Sequence, residues 1–259
     1  MDLQLAGKVA VISGGGTGIG RAIAEEYLNE GVQVVIFGRR RSVLEQFAEE
    51  ARQQGKQIDY ECLDITDAAG VRSFAERIYE KYGRLDIWIN NAGIAINRDF
   101  LEFTDEDWDK INDINLKGVF HGIQIAGEIM KRQGHGVIVN ASSFAALIPH
   151  ANGAVYAATK AGVSSLTKTA AASLAPFGIR VIGYIPGMIV SEISEQFISE
   201  HRDKFVKDIS LGRLGRPSDL AKPVVFLTSD AAAYISGCDI EITGGKFAVQ
   251  DASLAWHQK

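Results

Sequence analysis

The sequence predicts an α/β fold, a doubly wound, seven-stranded parallel sheet with helices on both faces. Three observations predict it. Short β-branched runs alternate with longer helical patterns, the order from which parallel sheets are built. The first run leads straight into SGGGTGIG at residues 13–20, five glycines in eight positions. Glycine, asparagine, serine and proline then recur just after later runs, where ligands bind in open sheets of this kind.

Taken in order, the strands are VAVIS at 9–13, VQVVIF at 32–37, IDYECL at 58–63, IWI at 87–89, GVIVNA at 136–141, IRVIGY at 179–184 and DIEI at 239–242. Each is short and carries valine or isoleucine, which suit a pleated, buried surface. The segments between them read as helices over 18–30, 42–54, 68–82, 105–131, 154–175, 191–208 and 217–228. No repeat, linker or low-complexity stretch interrupts the series, so 1–259 is read as a single domain. A chain of 259 residues, 46% hydrophobic and 23% charged, can bury one large core.

Composition excludes several functions. A formal charge of −5 argues against nucleic acid, whose phosphates call for a basic footprint. Cys62 and Cys238 are far apart, and His121, His135, His150, His201 and His257 show no ligand spacing. Reduced thiols and no metal are expected. No apolar run reaches the roughly 18 residues of a membrane span, and no leader precedes the first strand. A soluble cytoplasmic protein without membrane or nucleic-acid partners is predicted.

The glycine loop can be tested by register. G-x-x-x-x-G-K-[ST] fits only as Gly15 to Gly20 followed by Arg21 and Ala22, without the lysine and hydroxyl of a triphosphate loop. G-x-G-x-x-G finds no register. What fits is [ST]-G-x-x-x-G-x-G, through Ser13, Gly14, Gly18 and Gly20. Glycines permit a tight turn, and a helix starting near Gly18 points free amides at a pyrophosphate. The alternative is a glycine-rich hairpin or linker.

The rest of the chain supplies Asn90-Asn91-Ala92-Gly93, Asn115, Ser143, Tyr156-x3-Lys160 and Pro186-Gly187. Of seven tyrosines, Tyr156 alone has lysine four residues on, and it follows Ser143 by thirteen. With the glycine loop, these residues resemble the short-chain dehydrogenase/reductase family, and the likeness spans nearly the whole chain. The resemblance implies a Rossmann-like sheet and hydride transfer between a nicotinamide and a secondary alcohol or ketone.

That chemistry needs a weak acid at the substrate oxygen. Tyr156 is the candidate, with the Lys160 ammonium one helical turn away favouring its phenolate. The resemblance has Lys160 also bind the nicotinamide ribose and Asn115 anchor a proton-relay water. Ser143 can donate a hydrogen bond to the substrate oxygen, whereas strand alternation turns Ser142 the other way. The expected cofactor-binding set is Ser13, Gly14, Gly16, Thr17, Gly18, Ile19 and Gly20, then Arg39, Arg40, Asp64, Ile65, Asn91, Ala92 and Gly93. Tyr156, Lys160, Pro186, Gly187, Ile189 and Ser191 complete it. Gly38, Arg39 and Arg40 stand where NAD binders carry an acid, so the expected cofactor is NADP (as NADPH), with NAD less favoured. The alternative for 39–41 is a solvated helix start.

The substrate pocket is expected from 94–97, 144–152 and a lid at about 188–208, suiting a small sugar, polyol or ketone. A 3-oxoacyl thioester is the alternative, although Phe177 stands where such reductases tend to carry a basic residue. A non-catalytic NADP-sensing regulatory protein is the alternative from another class, and it has no need of the serine, tyrosine and lysine set. Two residues depart from the family pattern: Ser191 for threonine and Ile182 for asparagine. The resemblance also implies a homotetramer, built on the small-residue helix at 154–175; separately, the tail at 251–259 is expected to cross to a neighbour.

Overall fold

The protein is described by a computed structural model covering residues 2–190, 195–246 and 248–258. Seven strands, β1 (Val9–Ser13), β2 (Gln33–Gly38), β3 (Ile58–Cys62), β4 (Ile87–Asn90), β5 (Gly136–Ala141), β6 (Ile179–Pro186) and β7 (Asp239–Ile242), form one sheet in the order β3-β2-β1-β4-β5-β6-β7. Every pairing is parallel. The order reverses between β1 and β4, which opens a crevice beyond their carboxyl ends.

The helices are α1 (Gly18–Asn29), α2 (Arg41–Gln53), α3 (Ala68–Tyr82), α4 (Asp105–Asn112), α5 (Gly118–Gln133), α6 (Ala154–Leu174), α7 (Glu195–Lys207) and α8 (Pro217–Thr228). Alternation along the strands divides the core into two layers. Val9, Val11, Val35, Phe37 and Trp88 pack with Phe74 of α3, Ile125 of α5 and Val163 of α6. Ala10, Ile12, Val34, Ile36 and Ile89 face the other way, onto Ile23 and Tyr27 of α1, Phe47 of α2 and Val224 of α8. Both faces are thus covered, as a sheet of continuous apolar strands requires.

One expectation is corrected. The predicted helix over 105–131 is α4 and α5 joined by a π-helical turn, Asp113–Lys117, in which the Gly118 amide reaches back to the Asp113 carbonyl. The wider turn adds a residue and re-aims its side chains. In the tail, Trp256 donates from Nε1 to the Ser210 carbonyl at 3.1 Å.

Candidate active site

The loop after β1 turns through left-handed Gly14 (φ +64°) and Gly18 (φ +55°). Close packing explains its other glycines. A Cβ on Gly20 would stand 2.3 Å from the Gly14 carbonyl oxygen, and one on Gly16 would meet Val43 and Leu44 at 3.1 and 3.2 Å. Helix α1 therefore starts directly against the loop. Thr17 is its N-cap residue but makes no side-chain cap, and the first turn carries no acid. Unsatisfied amides and the positive end of the helix dipole suit a phosphate.

Ser13 closes the crevice floor. Its hydroxyl accepts from the Asn91 and Ala92 amides, both at 3.0 Å, and donates to the Ile89 carbonyl at 3.3 Å. The Asn91 amide group donates to the Ser13 and Gly14 carbonyls at 3.2 and 3.3 Å. Buried Tyr184 at the end of β6 donates to Asn91 Oδ1 at 3.0 Å and fixes that amide's orientation. Three strand ends are thereby locked together around one loop.

The cleft so formed has a volume of about 640 Å³. Of the expected residues, Gly14, Thr17, Gly18, Ile19, Arg39 and Arg40 line one end, and Ile65, Asn91, Ala92 and Gly93 its middle. Tyr156, Lys160 and Pro186 line the other end. Leu63, Ile114, Ala141 and Tyr184 also line it, and none was expected from the sequence. Arg40 donates from Nη2 to Thr17 Oγ1 at 3.1 Å, so its guanidinium stands over the start of α1. Arg39 Nη1 lies 4.0 Å from the Asp64 carboxylate. Asp64 itself accepts from the Thr66 amide and hydroxyl, both at 2.9 Å, and is not among the residues that line the cleft.

At the inner end, α6 presents Tyr156 and Lys160 one turn apart. Lys160 is 4% exposed, donates from Nζ to the Ala141 carbonyl at 2.8 Å, and lies 5.8 Å from the Tyr156 ring centre. Burial pushes its amine down to about 8. Burial pushes the half-buried Tyr156 phenol up, and a hydrogen bond from Ser143 partly opposes this. The direction is opposite to the one expected from Lys160 alone, because loss of hydration sets it. In the free protein at neutral pH, the tyrosine holds its proton. Ser143 also accepts from the Ala145 amide at 3.1 Å. Ser142 points into α6, bonding Ser164 Oγ at 2.8 Å and the Lys160 carbonyl at 3.2 Å.

Buried polar chains hold this end in place. Trp88 Nε1 donates to Asn90, Asn90 to Asn140, Asn140 to Thr167, and Thr167 to the Val163 carbonyl, all at 2.8–3.0 Å. The chain ties β4 and β5 to α6. Asn115 is fully buried in the π-helical turn, its amide clamping the Ile94 backbone: Oδ1 accepts from the Ile94 amide and Nδ2 donates to the Ile94 carbonyl, both at 2.8 Å. A Cβ on Gly93 would stand 3.3 Å from Asn115 Oδ1 and 3.6 Å from Lys160 Nζ. Asn115, Gly93 and Lys160 therefore converge beside the cleft.

Beyond β6, a Cβ on Gly187 would meet Thr243 Cα at 2.7 Å, and Ile189 is buried against Gly215. Ser191 lies outside the described residues, as do 192–194. Helix α7 is seated by a small separate cluster in which Ile198, Ile209 and Leu214 pack with Met188, Val190 and Phe205.

The arrangement fits a nicotinamide dinucleotide: an uncapped helix start at one end, a glycine-lined floor, and a lysine and a protonated tyrosine at the other. Residues 8–202 match the short chain dehydrogenase family. A 3-oxoacyl-[acyl-carrier-protein] reductase of Thermotoga maritima is 36% identical over 243 residues, covering 94% of this chain and 99% of that protein. A gluconate 5-dehydrogenase from Burkholderia cenocepacia, solved with NADP and tartrate, superposes with a TM-score of 0.91 at 31% identity, covering 96% of this chain and 98% of that one. A 7α-hydroxysteroid dehydrogenase, solved with NADH and 7-oxo glycochenodeoxycholic acid, gives 0.90 at 32% identity over 95% and 96%. The chain belongs to the short-chain dehydrogenase/reductase family and is an oxidoreductase acting between hydroxyl and keto groups.

Proposed function

We propose that the protein is an NADP(H)-dependent oxidoreductase that interconverts a secondary alcohol and a ketone, with a small sugar, polyol or ketone as substrate. The observation that carries the cofactor preference is the end of β2: Gly38 leaves room, and Arg39 and Arg40 line the cleft there. An acid would repel a 2′-phosphate, whereas a guanidinium pairs with it. The relatives support a nicotinamide cofactor of either kind, since one is solved with NADP and another with NADH.

In this reading the start of α1 and the loop of Gly14 and Gly18 receive the pyrophosphate, and Asn91 to Gly93 leave the backbone open to the adenine ribose. The cofactor supplies or accepts the hydride. Tyr156, protonated in the free site, passes its proton to the substrate oxygen as the carbonyl is reduced, and takes one back in the reverse direction. Ser143 donates a hydrogen bond to that oxygen where charge develops. Lys160 places an ammonium beside the ribose, and Asn115 holds the 94–95 wall of the pocket. Helix α7 acts as the lid of a single-domain enzyme. A cytoplasmic homotetramer is part of the reading, supported by the exposed small residues Ala158, Ala161, Ser165 and Ala172 on α6.

A second reading, a 3-oxoacyl thioester reductase, is favoured by the name of the Thermotoga maritima relative. Loss of NADPH absorbance against panels of ketoses, keto acids, diketones and 3-oxoacyl thioesters separates the two. Turnover of thioesters alone overturns the first reading. No turnover of any member overturns both.

A further inference from the structure

Tyr184 is a phenol laid across the sheet. It stands near the end of β6, fully buried in the layer of Ile12, Ile89 and Val224, where an unpaired hydroxyl is costly. Strand β5 lies between β6 and β4, and the β5 residue paired with Tyr184 is Ala141, on the same face. Asn91 comes one step after the Asn90–Asn140 pair, so Asn91, Ala141 and Tyr184 form one row across three strands. The small side chain in the middle leaves room for the ring to pass over β5. Its hydroxyl thereby reaches Asn91 Oδ1 at 3.0 Å, although the two backbones are two strand spacings apart, about 10 Å.

The other side of that amide belongs to the glycine loop. Nδ2 donates to the Ser13 and Gly14 carbonyls at 3.2 and 3.3 Å, and Cβ atoms on Gly14 and Gly20 would stand 3.2 and 2.5 Å from it. The Asn91 side chain is therefore wedged between the turn at Gly14 and the first turn of α1, the two pieces that aim free amides at a phosphate. Tyr184 satisfies the acceptor that this leaves over. Burial pushes its phenol well up and the Tyr156 charge adds to that, so the hydroxyl keeps its proton and remains a donor. With phenylalanine there, Oδ1 would lose its donor inside an apolar layer, and the amide would gain by turning away from the loop.

We propose that Tyr184 is a positioning residue for the cofactor: through the Asn91 side chain, its hydroxyl holds the glycine loop and the start of α1 in the geometry that receives the dinucleotide pyrophosphate. This rests on the nicotinamide-dinucleotide reading of the cleft. The pyrophosphate is common to both cofactors, so Tyr184 serves NADPH and NADH alike. Arg39 and Arg40, at the 2′-phosphate, separate them.

The test is Tyr184→Phe, which deletes one oxygen. Fluorescence titrations should show Kd raised about ten-fold for NADPH and NADH alike, while kcat at saturating NADPH falls less than about three-fold. Adenosine 2′-monophosphate, which has no pyrophosphate, should bind with an unchanged Kd by calorimetry. In an Asn91→Ala background the Tyr184→Phe change should add nothing to Kd, because the link is already cut. Melting of each cofactor-free variant checks that it is folded. Kd values within about two-fold of the wild type, a loss in kcat alone, or additive effects in the double variant overturn the proposal. Equal weakening of adenosine 2′-monophosphate also overturns it, and so does a Tyr184→Phe chain that no longer melts cooperatively. A wild type that binds neither dinucleotide is a different result, which removes the cofactor reading and this inference with it.

Discussion

The two ends of the cleft are built in opposite ways. At the inner end, Lys160 is buried, bonded to the Ala141 carbonyl, and carried on a helix tied to the sheet by the chain from Trp88 to Thr167. At the outer end, Arg39 and Arg40 are exposed on a strand end. The difference matches the work that the proposed function asks of each. Proton transfer depends on position to a fraction of an ångström and on pKa values set by burial, so its groups must be locked. Choosing between cofactors that differ by one phosphate needs only charge of the right sign within reach, which water and salt can still screen.

The largest effect is expected where the locked end loses its acid. Tyr156→Phe should lower kcat about 100-fold or more while leaving NADPH binding, followed by its fluorescence, nearly unchanged. A variant that kept more than about a tenth of wild-type kcat would remove the general-acid role from this residue.

At the open end, the double change Arg39→Ala, Arg40→Ala should raise KM for NADPH by about ten-fold to a few hundred-fold and leave KM for NADH nearly unchanged. Equal losses for both cofactors would mean that the arginines only start α2.

The smallest effect sharpens the comparison through pH. Burial holds the free Lys160 amine down to about 8. Below that pH it is an ammonium, and above it the charge is lost. The Kd for NADPH should therefore rise several-fold as pH climbs through about 8, and Lys160→Met should show no such step. Stability carries the opposite sign. Between about 8 and the ordinary lysine value near 10.4, the unfolded chain binds more protons than the folded one, so this group makes the free protein more stable as pH rises. Cofactor affinity that stayed flat across this window in the wild type would remove Lys160 from the ribose contact.

The same contrast explains what could be read from the sequence. The seven strands were legible because each is a β-branched run between longer helical patterns, and Tyr156 and Lys160 because a spacing of four puts both on one helix face. The π-helical turn at Asp113–Lys117 was not, since one added residue barely disturbs the apolar periodicity of a long helix. Tyr184 looked like one more apolar strand residue: its hydroxyl meets Asn91, 93 residues away in sequence. The rise in the Tyr156 pKa was misjudged for a related reason. Local spacing reveals the neighbouring lysine, but burial belongs to the assembled fold.

The proposed function needs Tyr156 to donate a proton at one end of the cleft and Arg39 and Arg40 to bind a 2′-phosphate at the other, and the ratio of kcat/KM for NADPH to that for NADH, measured on the wild-type enzyme with a saturating diketone, tests it most directly. The predicted ratio is about ten or more at low salt, shrinking as salt is added because the exposed arginines are screened. A ratio near one or below at low salt, or one that ignores salt, would contradict it.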